Sequence, residues 1–190
     1  MHAQVIVPTF HTERLILREI VPGDIPAYQR NFNDWEVIRH LSRKVPWPYP
    51  EDGVKVYCEQ LLFPNQGKSS WNWGLFLREH PDELIGTVAL YRPGIPESRG
   101  FWLARRLWGQ GLMTEAVIPV MDYAFAELGY ECMILSNAVG NTRSGRVKEK
   151  TGAKLLRTAP MEFVDPTYTH SEYWEISAEA WRQFRAGIKG

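Results

Sequence analysis

WLARRLWGQGLMTEAV, Trp102–Val117, carries an apolar, strand-like run into two arginines, two closely spaced glycines and then a helix. A strand-to-helix turn of this kind leaves backbone N–H groups free, and its glycines keep side chains away from whatever approaches them. The helix that follows adds about half a positive charge at the same spot. Together these features describe a phosphate or pyrophosphate grip at a helix N-terminus. The turn is not a Walker A loop, because no Gly-Lys-Ser/Thr follows. Nor is it a dinucleotide fingerprint, because only Gly109 and Gly111 are present. A tight turn that uses glycine for positive φ explains the turn equally well on its own.

The flanking segments define the surroundings. TERLILREI (Thr12–Ile20) alternates Leu15 and Leu17 with charged residues and reads as a half-buried strand. Pro22-Gly23-Asp24 marks a turn and a helix start, with Asp24 as N-cap, and the helix runs to about Phe32. A short helix over Trp35–Leu41 follows. KVPWPYPEDG is a proline-stiffened loop presenting Trp47 and Tyr49, and Gly53 to about Phe63 is helical. Trp71–Glu79 and Leu84–Arg92 form a hairpin turning at His80–Glu83, and Ser98–Ala104 adds a third strand. Val117, Val120, Met121, Ala124 and Leu128 form a helical core stripe, and Pro119 within it predicts a kink or a late helix start. A strand, CMILSNAV, leads into the helix NTRSGRVKEKTGA, capped by Asn141 and stopped by Gly152. Strands over about Lys154–Val164 and Glu172–Ser177 and a terminal helix complete a mixed α/β (α+β) fold in one domain, residues 1–190.

The pair FWLARRLWGQGLMTEAV and NTRSGRVKEKTGA, with TERLILREI and IGTVALYR before them, resembles the GNAT superfamily of acyl-CoA-dependent N-acyltransferases, specifically its Rim-type, ribosomal-protein-acetylating branch. RLWGQG matches the superfamily's Q/R-x-x-G-x-G/A literally. The branch pattern W-G-x-G-x-x-T-E-A also aligns Thr114-Glu115-Ala116, and it leaves Met113 where a small residue is usual. The resemblance implies a GNAT fold: a mixed, mostly antiparallel sheet flanked by helices, in which two central parallel strands splay and admit the pantetheine arm of acetyl-CoA. Phe101, Trp102 and Leu103 would pair with that arm. Trp108, Gly109, Gln110, Gly111, Leu112, Met113 and Thr114 would hold the pyrophosphate. Asn137, Asn141 and Ser144 would complete the cofactor site, and Arg105 and Arg106 either reach its phosphates or sit in solvent.

Acyl transfer from a thioester needs a neutral amine, a stabilised oxyanion and a proton for the leaving thiolate. Many family members supply that proton from a tyrosine, but the matching position here is Lys148, so Ser144 becomes the leaving-group candidate. Glu97 is the family-like general base. A solvated turn carboxylate also explains Glu97; Glu162, Asp165 and His170 are further candidates for the acceptor side, and His170 also reads as a surface-loop histidine. Trp47 is a candidate wall of the acceptor pocket, while Trp71 and Trp73, on one strand face, read as core.

The implied activity is acetyl transfer from acetyl-CoA to a primary amine, on a protein N-terminus or a small molecule, by direct attack in a ternary complex. The missing tyrosine and Met113 leave open a catalytically inactive CoA-binding sensor or scaffold, and the turn alone would also suit a nucleotide-phosphate binder. The chain's 22 basic and 22 acidic residues exclude a long-range field toward nucleic acid or anionic membrane. Cys58 and Cys132 form no metal or disulfide pattern, so reduced thiols in the cytoplasm are the expectation, with no metal. The opening MHAQVIVPTF has no leader pattern. A homodimer is compatible with the branch.

Overall fold

The computed structural model describes residues 6–92 and 97–188; the opening five residues, part of the segment read above for a leader, lie outside the described residues. Five strands form one antiparallel sheet in chain order: β1 (Phe10–His11), β2 (Leu15–Arg18), β3 (Ser70–Leu77), β4 (His80–Tyr91) and β5 (Arg99–Leu103). β4 begins at His80, so the hairpin turns two residues earlier than the sequence predicts, at Arg78-Glu79. Three more strands, β6 (Cys132–Ala138), β7 (Lys154–Pro160) and β8 (His170–Ser177), form a second antiparallel sheet in the order β6-β8-β7.

The first sheet is covered on both faces, which its alternation dictates. Leu15, Leu17, Trp73, Leu75 and Val88 face α5 (Leu112–Ala126), whose Ala116, Val117, Val120, Met121 and Ala124 are all fully buried. Phe76, Leu84 and Trp102 face the other way. There they meet α1 (Ile25–Phe32), α2 (Trp35–Ile38) and α3 (Gly53–Tyr57), which continues through a π-helical stretch, Cys58–Leu62, into α4 (Phe63–Asn65). Pro119 lies inside α5 without delaying its start at Leu112. Asp24 differs from its expected capping role. Its carboxylate accepts the Val21 N–H at 2.8 Å and pairs with Arg18 at 2.9 Å, so it fastens the β2–α1 corner instead. Trp73 stacks on Phe10 and meets Tyr123 edge-on, and Trp71 packs beside the same cluster, so both serve the core.

The two sheets meet at one point. Ser98 N–H donates to the Ile134 carbonyl at 2.7 Å, and Ile134 N–H returns a bond to Ser98 Oγ at 3.1 Å. Beyond that junction no backbone bond joins β5 to β6 among the described residues. Both strands then run toward one cavity, lined by Phe101–Leu103 on one side and Ser136-Asn137 on the other. The expected splay of adjacent, co-directed strands is present. α6 (Thr142–Lys150) closes the floor, and α7 (Ala178–Ile188) packs behind α5 through Trp181 and Phe125.

The splayed edge depends on a close approach at Gly86, opposite Leu103. A Cβ there would lie 2.5 Å from the Trp102 carbonyl and 3.2 Å from Leu103 Cα. Gly86→Ala should therefore lower stability by about 1–3 kcal/mol, as overpacking does, whereas Gly23→Ala, with nothing within 4 Å, should be near neutral. Urea unfolding of the two variants checks this; equal midpoints would contradict it.

Candidate active site

The glycine turn is held from below by an unexpected clamp. Glu115, in the first turn of α5, accepts the Thr12 hydroxyl at 2.6 Å, the Arg14 N–H at 2.7 Å and the Arg14 Nε at 2.7 Å. Arg14 also donates to the Gln110 carbonyl at 2.9 Å. Burial alone would push the Glu115 carboxyl up, but these hydrogen bonds and the Arg14 charge hold it below its ordinary value. The Thr-Glu-Arg opening and the Thr-Glu-Ala start of α5 are thus the two halves of one joint. Gly109 and Gly111 both sit at φ +77°, the left-handed region that glycine enters at little cost. Gly111 is the residue immediately before α5, so the turn presents its N–H groups at the positive end of a fifteen-residue helix.

Above this turn lies a cavity of about 860 Å³, running between the splayed strands and out over α1–α3. Phe101, Trp102, Leu103, Trp108, Gly109, Gly111, Leu112, Met113, Thr114, Asn137, Asn141 and Ser144 all line it. Gln110 does not; its side chain points toward the Arg106 carbonyl. The Leu103 carbonyl accepts the Trp108 indole N–H at 2.8 Å, which ties the end of β5 to the glycine turn. Met113 is 7% exposed and packs into the core beside α5's other buried residues, which takes most of its bulk out of the turn.

Several sequence candidates lie elsewhere. Arg106 donates to Asn31 at 2.7 Å and pairs with Glu83 at 3.0 Å, and neither it nor Arg105 lines the cavity. Arg143, Arg146 and Lys150 on α6 do line it, and Arg143 lies beside the turn, stacked 3.9 Å from the Trp108 ring centre. Glu162 is paired with Arg43 on the surface, Asp165 with Arg39 at 2.6 Å, and His170 is exposed beside Thr169. None of the three lines the cavity, although Met161 and Phe163 beside them do: Glu162 and Asp165 are turned to the arginines that pair with them, and His170 lies at the exposed start of β8. Trp47 is 42% exposed and packs on Trp35, while its neighbour Tyr49 reaches the cavity.

Glu97 does line the cavity, at the junction end. Burial raises its carboxyl above the ordinary value against the pull of Lys148, Ser136 and Arg99. Lys148, buried at 2% exposure, donates from Nζ to Ser144 Oγ at 2.8 Å. Burial and the neighbouring Arg99 lower its ammonium well below the usual lysine range, against Glu97 and Glu172. Asn141 caps α6 by accepting the Ser144 N–H at 3.4 Å. Asn137 Nδ2 donates to Glu172 at 2.8 Å, which leaves its buried Oδ1 with no donor. The sequence had no signal for His40, which also lines the cavity; both its ring nitrogens are engaged, with the Glu36 carbonyl and the Tyr168 hydroxyl. Burial lowers its pKa.

This geometry fits acetyl-CoA. The turn and α6 offer backbone donors and cations for phosphates, and Asn137 Oδ1 awaits an N–H such as a pantetheine amide supplies. The family described as the acetyltransferase (GNAT) domain matches residues 14–154. The chain belongs to the GNAT acetyltransferases. An uncharacterized N-acetyltransferase of Bacillus subtilis, YoaA, is 27% identical over 148 residues, 76% of this chain and 82% of that protein. Among solved structures, a ribosomal-protein-S5-alanine acetyltransferase from Vibrio fischeri superposes with a TM-score of 0.76 at 18% identity, covering 92% of this chain and 99% of that one. The spermidine N-acetyltransferase from Vibrio cholerae in complex with CoA and spermine gives 0.72 at 18% identity, covering 88% and 98%. The protein is therefore an N-acetyltransferase of a family that uses acetyl-CoA. Among the described residues no group of three or more His, Cys, Asp or Glu could hold a metal, and no helix is long and apolar enough to cross a membrane.

The Glu115 clamp has a pH signature. Its depressed carboxyl contributes stability that is present above the unfolded value, about 4.3, and is lost as pH falls through the lower folded value. Glu115→Gln should lower the unfolding temperature at pH 7 by about 3–6 °C, as expected for losing charge-assisted bonds worth about 1.5 kcal/mol. The gap to wild type should close in strong acid. Calorimetric scans against pH check this, and a gap constant down to acid would contradict it.

Proposed function

We propose that this GNAT enzyme transfers acetyl from acetyl-CoA to a primary amine by direct attack in a ternary complex, with Glu97 as base and Ser144, backed by Lys148, as acid. The observation that carries this reading is the 2.8 Å bond from Lys148 Nζ to Ser144 Oγ on the cavity floor. A hydroxyl that accepts from an ammonium has its own hydrogen free to donate. Ser144 can then give its proton to the departing CoA sulfur and take one from Lys148. In this way a lysine held near neutrality does the work of the absent tyrosine.

At the other end of the step, Glu97 removes a proton from the amine nucleophile. Its raised carboxyl suits an amine of ordinary basicity better than a solvated glutamate would, because proton transfer is most efficient when the two pKa values approach one another. An α-amine, with a pKa of about 7.7–8.0, asks least of that base. Acetyl leaves sulfur for nitrogen, the amine's proton goes to Glu97, and the thiolate's proton comes from Ser144. The site offers the oxyanion backbone N–H groups on the splayed strand edges.

The relay sets the pH dependence. The rate should rise as Glu97 deprotonates and fall again as Lys148 loses its proton, below the ordinary lysine value of about 10.4. Lys148→Met should lower kcat by about 10²-fold, the contribution of a general acid, with acetyl-CoA KM little changed and the alkaline limb removed. Ser144→Ala should do much the same, and the double variant should be no worse than either, because the two act as one unit. Stopped-assay pH profiles of the three variants decide it. Wild-type kcat in Lys148→Met would sink the relay. Binding of acetyl-CoA with no turnover on any amine would instead favour an inactive CoA-binding protein.

A further inference from the structure

Arg99 is a buried cation of this cavity whose N–H groups the fold leaves unanswered. It is 2% exposed, lines the cavity, and none of its Nε, Nη1 or Nη2 atoms has a hydrogen-bond partner. A buried guanidinium left unpaired is among the most expensive arrangements a core can hold, and it persists where something else completes it. The Phe101 ring lies 5.5 Å from its central carbon, a weak cation–π contact that satisfies no N–H. Glu97 stands nearby and favours its charge without bonding to it, and burial pulls the guanidinium down to about 10, so it is still a cation at neutral pH.

Its position says where the missing partner sits. Arg99 is two residues before Phe101, so its side chain falls on the same face of β5 as the Phe101 ring. It is one residue from the Ser98–Ile134 junction, at the closed end of the splay and next to Glu97 and Lys148. The pyrophosphate turn lies at the other end of β5, past Leu103, so Arg99 is not a phosphate ligand for CoA. A planar fork of N–H donors in a dry pocket is matched by a carboxylate, which can take two parallel bonds from it.

Resting on the acyltransfer reading above, we propose that the substrate bound beside Glu97 carries a carboxylate that pairs with Arg99, so that the natural acceptor is a small amino acid-type amine and not a polyamine. A polycation would bring further positive charge to a pocket already holding Arg99 and Lys148. The same carboxylate could instead stand at the far end of the acyl group, as in a dicarboxylic acyl-CoA, and the test separates the two.

The experiment measures kcat/KM with acetyl-CoA for matched amine pairs that differ only in a carboxylate: glycine against glycinamide, and 4-aminobutanoate against 4-aminobutanamide. It is run on the wild type, Arg99→Met and Arg99→Gln. A parallel arm compares succinyl-CoA with acetyl-CoA on the neutral amines. The proposal expects about 10²-fold preference for a carboxylate-bearing acceptor, collapsing toward unity in both variants while calorimetric acetyl-CoA affinity is retained. A preference confined to succinyl-CoA, and lost in the variants, would keep the Arg99–carboxylate pair but assign it to the donor. Equal rates within every pair, or a preference that survives both substitutions, would overturn the proposal and leave the acyltransferase reading standing. If no amine turns over, that reading fails instead. Titration of the CoA-loaded protein with succinate then still decides Arg99, since heat in the wild type that disappears in Arg99→Met supports the pair and its absence in both refutes it.

Discussion

Everything functional in this molecule depends on two strands that are tied together once and then forced apart. The Ser98–Ile134 bonds fix β5 beside β6, and the next residues belong to two different sheets. The unpaired edges that result would be costly if left dry. A ligand with its own amides can satisfy them, and this is the reason an extended, amide-bearing arm suits the gap. The turn, the helix end and the α6 cations then follow at the distances one strand length imposes.

The large features of this arrangement were readable in the sequence because they rest on local chemistry. Gly109 and Gly111 need positive φ, Asn141 caps α6, and the α5 stripe repeats at helical spacing. What escaped was set by tertiary contact. Arg106 stands next to the glycine turn in sequence, yet it is drawn to Asn31 and Glu83, while Arg143 and Arg146 reach the cavity from a later helix. Glu162, Asp165 and His170 were readable as further acceptor-side candidates beside Glu97, and only tertiary contact removes them: Arg43 and Arg39 hold Glu162 and Asp165, and His170 is exposed. The Glu115 clamp joins residues 101 positions apart, a separation no local pattern reveals. The hairpin turn moved by two residues because β4 takes up His80 and Pro81 as edge residues.

On the proposed mechanism, a missing group is replaced by its surroundings. A tyrosine hydroxyl gives up a proton at a pKa of about 10. A lysine would be a worse acid than that in water, and here burial and the Arg99 charge make it a better one. The same arginine that tunes Lys148 lacks a partner of its own. Lys148, Glu97 and Arg99 thus form one electrostatic unit, in which a bound carboxylate would alter all three.

The central claim is that the gap between β5 and β6 receives the pantetheine arm. It is tested most directly by calorimetry of acetyl-CoA beside 3′-phospho-ADP, which keeps the phosphates and lacks the arm. The account predicts tight binding of acetyl-CoA and binding of the truncated ligand weakened by about 10²-fold or more, the loss expected when a buried, amide-bearing segment is removed. Equal affinity for the two would contradict it, leaving the glycine turn as a phosphate site and the splay without an occupant.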